Sequence, residues 1–361
     1  MNYPRIASYA GLRSSGAPLV KPDGTLDLEL CKKQARFPLM TLDINTIMLH
    51  PEIVLKIREF NPTVEILGYH LMTHWWLPPT FVPQPTDKSF NADWHKALQA
   101  TNGFLTGVPD GYIVDWNNMP TAEALIQLLE KAARTQLFDG FFLDYCSPTV
   151  SWVPIGNKFT DETRLRHFRE LVERMDDIDA GGPMFIMYGN GVGANQCNMQ
   201  GTMKEGFPGS LTSFSQALQQ TNGDWLKTEI GTPSNTQLAR YCLGTACLTG
   251  AYGAPAANRN NTPELFDANF WFPEYSVMPD GTPDPTGSHL GWLGEPLGPK
   301  VIIDKGIHFR MFEYGVVMVN PTPSSVVIDS LTNRWKKVGD TAIVRQFIIP
   351  AQDAVFLIEP R

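Results

Sequence analysis

Three acidic residues stand where expected short strands end: Asp43 after residues 39–42, Asp144 after 140–143 and Glu205 after 201–204. A carboxylate at the carboxyl end of a buried strand is costly to desolvate unless it is paired or used. In barrel enzymes that rim is where catalytic groups are mounted. Asp115 and Glu274 lie in loops able to reach the same rim. Glycoside cleavage needs two carboxyl groups facing each other across the scissile bond, one ionised and one protonated. Asp144 and Glu205, on the expected fourth and sixth strands, are the pair placed to flank a sugar. The plainer readings are a turn-capping Asp144 and a helix-capping or salt-bridged Glu205.

Other chemistries fit the residues less well. The first strand offers Ser8-Tyr9 where a metal-dependent hydrolase needs paired histidines. His70 and His74 are four apart without an H-E-x-x-H frame, so His70 is read as a hydrogen-bonding group and no metal site is expected. Gly189-Asn190-Gly191-Val192-Gly193 does not meet the dinucleotide fingerprint, no P-loop is present, and no cofactor is expected. Lys204 has opposite strand parity to Glu205, which excludes it as a Schiff-base lysine sharing that site. Tyr145, Tyr188 and Asn190 sit at strand ends, and with Asp43 and His70 they are candidates to bind sugar hydroxyls. Trp75, Trp76, Trp116 and Trp271 are candidate stacking walls, because pyranose rings present apolar C–H faces to aromatic rings. The bland alternative for these tryptophans is loop packing.

The elements that position these residues follow from periodicity. Short apolar runs expected as strands lie at residues 5–10, 39–42, 64–69, 139–145, 184–188, 201–204, 225–230 and 248–252. Helical spacing occupies 51–60, 121–135, 161–175 and 238–248 between them. A tryptophan- and proline-rich excursion of about forty residues, the length of a functional lid or subsite wall, follows the third strand and includes a short extended piece at 112–116. After residue 300 four strands separated by Pro, Gly and Asn turns follow with no helix. The expected fold is α/β: a (β/α)8 TIM barrel over 1–298 and a small antiparallel β-sandwich domain over 299–361.

Composition bounds the partners. The 361 residues are 43% hydrophobic and 18% charged, with a net charge of −8 and no basic run, which argues against nucleic acid and anionic membrane surfaces. The five cysteines lack metal or disulfide spacing and read as small buried hydrophobes. The N-terminal residues show no signal-peptide pattern, so the expectation is a cytoplasmic protein, or one exported after a signal is trimmed. Oligomeric state is not legible.

Several segments resemble known families. Gly68-Tyr69-His70, Tyr112-Ile113-Val114-Asp115-Trp116-Asn117 and residues 138–145 resemble the third-to-fourth strand region of glycoside-hydrolase-type TIM barrels. Residues 201–207, Gly-Thr-Met-Lys-Glu-Gly-Phe, are similar to their sixth-strand carboxylate segment. Residues 240–250, 291–299 and 309–322 resemble the glycosyl-hydrolase-like family 15, which joins a barrel to a β domain and is related to α-galactosidase-like barrels. The resemblance implies a retaining glycoside hydrolase acting on an oligo- or polysaccharide, with Asp144 as nucleophile and Glu205 as acid/base. One departure is Thr249-Gly250-Ala251, where the resemblance leads one to expect an acidic residue. The alternative function is a non-catalytic carbohydrate-binding barrel, a module of a surface or viral assembly.

Overall fold

The structure is a computed structural model that describes residues 2–9, 19–84, 86–108, 111–146, 161–179, 185–190, 194–209, 211–221, 223–230, 232, 234–256, 269–329 and 335–359. Residues 191–193 of the glycine-rich turn considered above lie outside the described residues. The chain divides into two compact units, one of residues 1–10, 21–39 and 204–361, the other of 11–20 and 40–203.

In chain order the elements begin with β1 (Ala7–Tyr9), α1 (Leu28–Gln34), β2 (Leu39–Asp43), α2 (Ile44–Leu49), α3 (Glu52–Phe60) and β3 (Glu65–Leu71). The excursion follows as β4 (His74–Trp75), α4 (Phe90–Ala100), β5 (Phe104–Val108) and β6 (Gly111–Val114). The alternation then resumes with α5 (Met119–Ala133), β7 (Gly140–Asp144), α6 (Asp161–Asp176), β8 (Ile186–Asn190) and β9 (Gly201–Lys204). It ends with α7 (Phe214–Ala217), β10 (Trp225–Glu229), α8 (Thr236–Thr249) and β11 (Tyr252–Ala256).

Eight strands form one sheet in the order β1-β2-β3-β7-β8-β9-β10-β11. The pairs β3–β7, β7–β8, β8–β9 and β10–β11 are parallel. A parallel bridge joins Ile6 to Gly253, and the Gly253 N–H donates to the Arg5 carbonyl at 2.9 Å, which brings the last strand back to the first. This is the expected (β/α)8 barrel. Among the described residues no helix is long and apolar enough to cross a membrane.

In the unit of residues 40–203, β7 is buried at all five positions, as a strand covered on both faces must be. The excursion is more ordered than its composition suggests. Its strands form an antiparallel sheet in the order β4-β6-β5. Helix α4, which the tryptophan and proline content conceals, is capped by Ser89 and buries Phe90, Trp94 and Leu98 at four-residue spacing.

The other unit adds an all-β part: β12 (Val301–Ile303), β13 (Ile307–Met311), β14 (Gly315–Asn320), β15 (Val326–Ile328), β16 (Trp335–Lys337), β17 (Ile343–Val344), β18 (Phe347–Ile349) and β19 (Asp353–Ile358). A six-stranded sheet runs β12-β13-β14-β19-β16-β17, and β15 pairs with β18. Val316 and Met318 of β14 pack with Val326, Ile328, Ile349, Val355 and Leu357 in a core between the two sheets. Val317 and Val319, on the opposite face of β14, approach Gly244 of α8. Helix α8 is therefore covered on one side by β11, where Leu243 meets Gly253, and on the other by β14 and β19. Its residues 241–248 are all buried, which removes the amphipathic signal that would have marked its end. It runs on to Thr249 and stops at Gly250 (φ 98°), so the eighth barrel strand is at 252–256 and not at 248–252.

A Cβ on Gly244 would stand 2.4 Å from the Cβ of Ala354 and 3.1 Å from Val319. Substitution Gly244→Val is therefore expected to destabilise the protein by about 1–3 kcal/mol through overpacking. Urea unfolding followed by circular dichroism measures this, and an unchanged midpoint would contradict the packing described.

Candidate active site

Strand β7 delivers Asp144 to the carboxyl end of the sheet as a buried side chain, 4% exposed. Alternation puts Phe142 on the same face, and Phe142 stacks with Tyr69 of β3 at 6.2 Å between ring centres. The register pairs Tyr69 with Phe142 and Leu71 with Asp144. From that position the Tyr69 hydroxyl donates to Asp144 Oδ2 at 2.6 Å. Asn190, the last residue of β8, donates from Nδ2 to Asp144 Oδ1 at 2.8 Å. Directly after the strand Tyr145 turns into the left-handed region (φ 55°), and its backbone N–H donates back to Oδ1 at 2.9 Å. Three donors, two from the neighbouring strands β3 and β8 and one from the residue after β7, replace the water the buried side chain has lost. Tyr188 lies two residues before Asn190, buried and on the same strand face. The carbonyl of Asn190 accepts the Cys146 N–H at 2.8 Å, which holds the two strand ends together.

Asp139, at the other end of β7, has a different task. Its carboxylate takes Arg58 Nη2 at 3.0 Å on each oxygen and the Ile66 N–H at 2.7 Å, fixing the entry to the strand. Asp43 ends β2 and caps α2, with Oδ2 accepting the Thr46 N–H at 2.9 Å and its hydroxyl at 3.0 Å. Burial pushes its carboxyl up to about 6, and the Thr46 hydrogen bonds pull it partly back.

His70 does not join the Asp144 group. Being one residue from Tyr69 it faces the opposite side of the sheet, edge-on to Trp94 at 4.2 Å and Phe90 at 5.2 Å, both on α4. Burial among these rings lowers its pKa to about 3, so it is a neutral packing residue. Trp116 is also spent on packing: fully buried, it meets Phe168 edge-on at 5.1 Å and donates from Nε1 to the Met72 carbonyl at 2.5 Å. Trp75 is buried and donates to His95 Nδ1 at 2.8 Å. Trp76 is 59% exposed and stacks on His74 at 4.1 Å, leaving it the accessible aromatic face of the excursion. Asp115 accepts the Asn117 N–H at 3.1 Å, a local turn before α5.

In the other unit, Glu205 directly follows β9, the second neighbour of β7 in the sheet order. It is half-buried, and its carbonyl accepts the Thr212 hydroxyl at 2.7 Å. Glu274 is buried with Oε1 4.0 Å from Arg240 Nε, while that guanidinium grips both oxygens of Asp353 at 3.0 and 2.6 Å. Burial raises the Glu274 pKa, and its place is the packing of α8 on β19, not a strand end of the barrel. Trp271 packs edge-on to Phe37 at 5.6 Å beneath Arg36 at 4.2 Å, and donates to the Asp284 carbonyl at 3.2 Å. Among the described residues no three His, Cys, Asp or Glu side chains group as metal ligands would. The residue that sequence reasoning missed is Tyr69. It stands in the same tripeptide as His70, and only the strand register decides which of the two faces Asp144.

No family model matches the sequence, and no curated protein sequence matches it. Solved structures do share its fold. The α-amylase of Geobacillus thermoleovorans, solved with acarbose, aligns at TM-score 0.51 and 12% identity over 98% of this chain and 97% of its own. A maltogenic α-amylase of Thermotoga neapolitana aligns at 0.53 and 14% identity over 99% of each chain. The pullulanase of Anoxybacillus sp. LM18-11, solved with maltotetraose, aligns at 0.54 and 10% identity over 98% of this chain and 71% of its own. These neighbours are TIM-barrel glycoside hydrolases, and at such identities the likeness is one of fold.

The raised Asp43 pKa has a consequence for stability. A carboxyl whose folded value of about 6 exceeds its ordinary 3.8 makes folding less favourable as pH rises between those values. Asp43→Asn keeps a good helix cap and removes that charge. The variant is expected to gain about 1 kcal/mol at pH 7, nothing near pH 4, and to lose this part of the pH dependence. Chemical unfolding of both proteins from pH 4 to 7 checks it, and parallel pH profiles would contradict it.

Proposed function

We propose that this protein is a glycoside hydrolase acting on an oligo- or polysaccharide by a retaining mechanism. The observation that carries the reading is the buried Asp144, oriented by Tyr69, Asn190 and the Tyr145 amide at a barrel strand end. In this scheme Asp144 attacks the anomeric carbon while Glu205 protonates the leaving oxygen, and Glu205 then activates the water that releases the sugar. Tyr69 and Asn190 act as positioning residues that keep the nucleophile aimed. Tyr188 and Asp43, with Trp76 as a stacking face, are the remaining proposed sugar contacts. The fold shared with amylases and a pullulanase supports the class of reaction, and the substrate is left to the site itself.

A second reading, a carbohydrate-binding barrel without turnover, draws support from one fact. Both oxygens of Asp144 already carry protein donors, as a purely structural carboxylate's would.

Reducing ends released from a panel of neutral and acidic polysaccharides decide between the two. Asp144→Asn and Glu205→Gln are each expected to lower kcat by at least about 10³-fold without loss of fold. Azide should partly restore Asp144→Ala by forming a glycosyl azide. Tyr69→Phe is expected to lower kcat by about 10- to 100-fold with little change in KM. Full activity in both carboxylate variants would overturn the assignment, and glycan binding with no released ends would favour the second reading.

A further inference from the structure

The six-stranded sheet, within the unit of residues 1–10, 21–39 and 204–361, ends at β12. That strand pairs with β13 through Val301–Phe309, Ile302–His308 and Ile303–Ile307, and among the described residues no strand lies on its other side. Such an edge presents backbone N–H and C=O groups ready to pair with a further strand. The side chains are apolar and uncovered: Ile302 is 67% exposed and Val301 44%. The exposed Leu297, whose N–H donates to the Met311 carbonyl at 3.0 Å, and the exposed Met311 continue this apolar surface beyond the strand.

Charges bracket the strand in a particular order. Lys300 stands two residues before Ile302 and Asp304 two residues after it, and both are exposed. Consider two copies of the edge paired antiparallel about a two-fold axis at Ile302. Ile302 then lies opposite itself, Val301 opposite Ile303, and Lys300 opposite Asp304 of the other copy. The symmetry makes the charged pair occur twice. Directly opposed side chains on neighbouring strands lie about 5 Å apart, where opposite charges favour pairing and like charges oppose it. A charge that guards an edge repels its own copy, whereas opposite charges at symmetric positions attract it. Lys300 Nζ donates to the Leu218 carbonyl at 3.5 Å, a long exposed contact that uses one of the three donors of an ammonium. Lys305 is turned toward β15, where it donates to the Val327 carbonyl at 2.8 Å.

We propose that this edge is the interface of a homodimer, in which two copies of β12 join antiparallel and the sheet runs on from one copy into the other. The strand is short, so the dimer is weak, with a dissociation constant of about 1–100 μM.

Sedimentation velocity of the full chain over that concentration range should show monomer passing to dimer. Lys300→Glu and Asp304→Lys, each checked for fold by circular dichroism, place like charges opposite each other twice. Either change alone should raise the dissociation constant by at least about ten-fold. Mixed in equal amounts, these two variants should associate with each other as the wild type does, because every opposed pair then has opposite signs. The double variant Lys300→Glu/Asp304→Lys should dimerise for the same reason, and Ile302→Lys should stay monomeric. A wild type that remains monomeric throughout the range would overturn the proposal. So would a dimer that both single variants retain, or single variants that fail to associate when mixed.

Discussion

A carboxylate buried at the end of a fully buried strand must be given back the hydrogen bonds that water supplied. That constraint at Asp144 organises much of this protein. The donors come from strands on either side of β7 and from the turn that follows it. They arrive only because the register sets Leu71 opposite Asp144 and Leu143 opposite Gly189. A slip of one residue in β3 or β8 would turn Tyr69 or Asn190 to the other face and leave the charge unsolvated. Register, fold stability and the proposed chemistry are thus tied to one side chain. Losing a single donor there is expected to cost about 1–3 kcal/mol, a large share of a typical domain's net stability.

The same alternation distributes the rest of the aromatic and acidic residues. One face of β3 carries Tyr69 toward Asp144, and the other carries His70 into the rings of α4. Asp139 and Asp144 bracket one strand yet differ in every partner: Arg58 and a backbone amide fix the first, while Tyr69, Asn190 and a backbone amide receive the second. On β10 the i, i+2 pair Lys227 and Glu229 shares a strand face, with Nζ and Oε1 3.9 Å apart.

Much of the barrel was legible because its strands are short apolar runs ended by polar residues, and the strand-end position of Asp144 could be read from that boundary. What stayed hidden has physical reasons. Choosing Tyr69 over His70 requires knowing the face, and period two cannot assign a face without register. Helix α4 lay among tryptophans and prolines whose composition suggests a loop, although Phe90, Trp94 and Leu98 carry its spacing. Helix α8 is covered on both sides, so its hydrophobicity has no period and its end was misplaced by a strand start. Tryptophan was the least informative residue type: Trp116 and Trp75 are buried hydrogen-bond donors, and Trp76 alone of the excursion's three candidate walls offers an exposed ring. Glu274 reads in sequence like a rim carboxylate, but its partner Arg240 lies more than thirty residues earlier, on a helix that packs against β19.

The proposed role of the oriented carboxylate of Asp144 is that of a nucleophile. Its most direct measurement is peptide mapping by mass spectrometry after incubation with 2-deoxy-2-fluoro glycosides bearing an activated leaving group, in which the fluorine slows both steps and the leaving group restores formation of the glycosyl-enzyme. One sugar adduct is expected, on the peptide that contains Asp144, and none in Asp144→Asn. An adduct on another carboxylate, or sustained hydrolysis by an enzyme that never forms one, would contradict it.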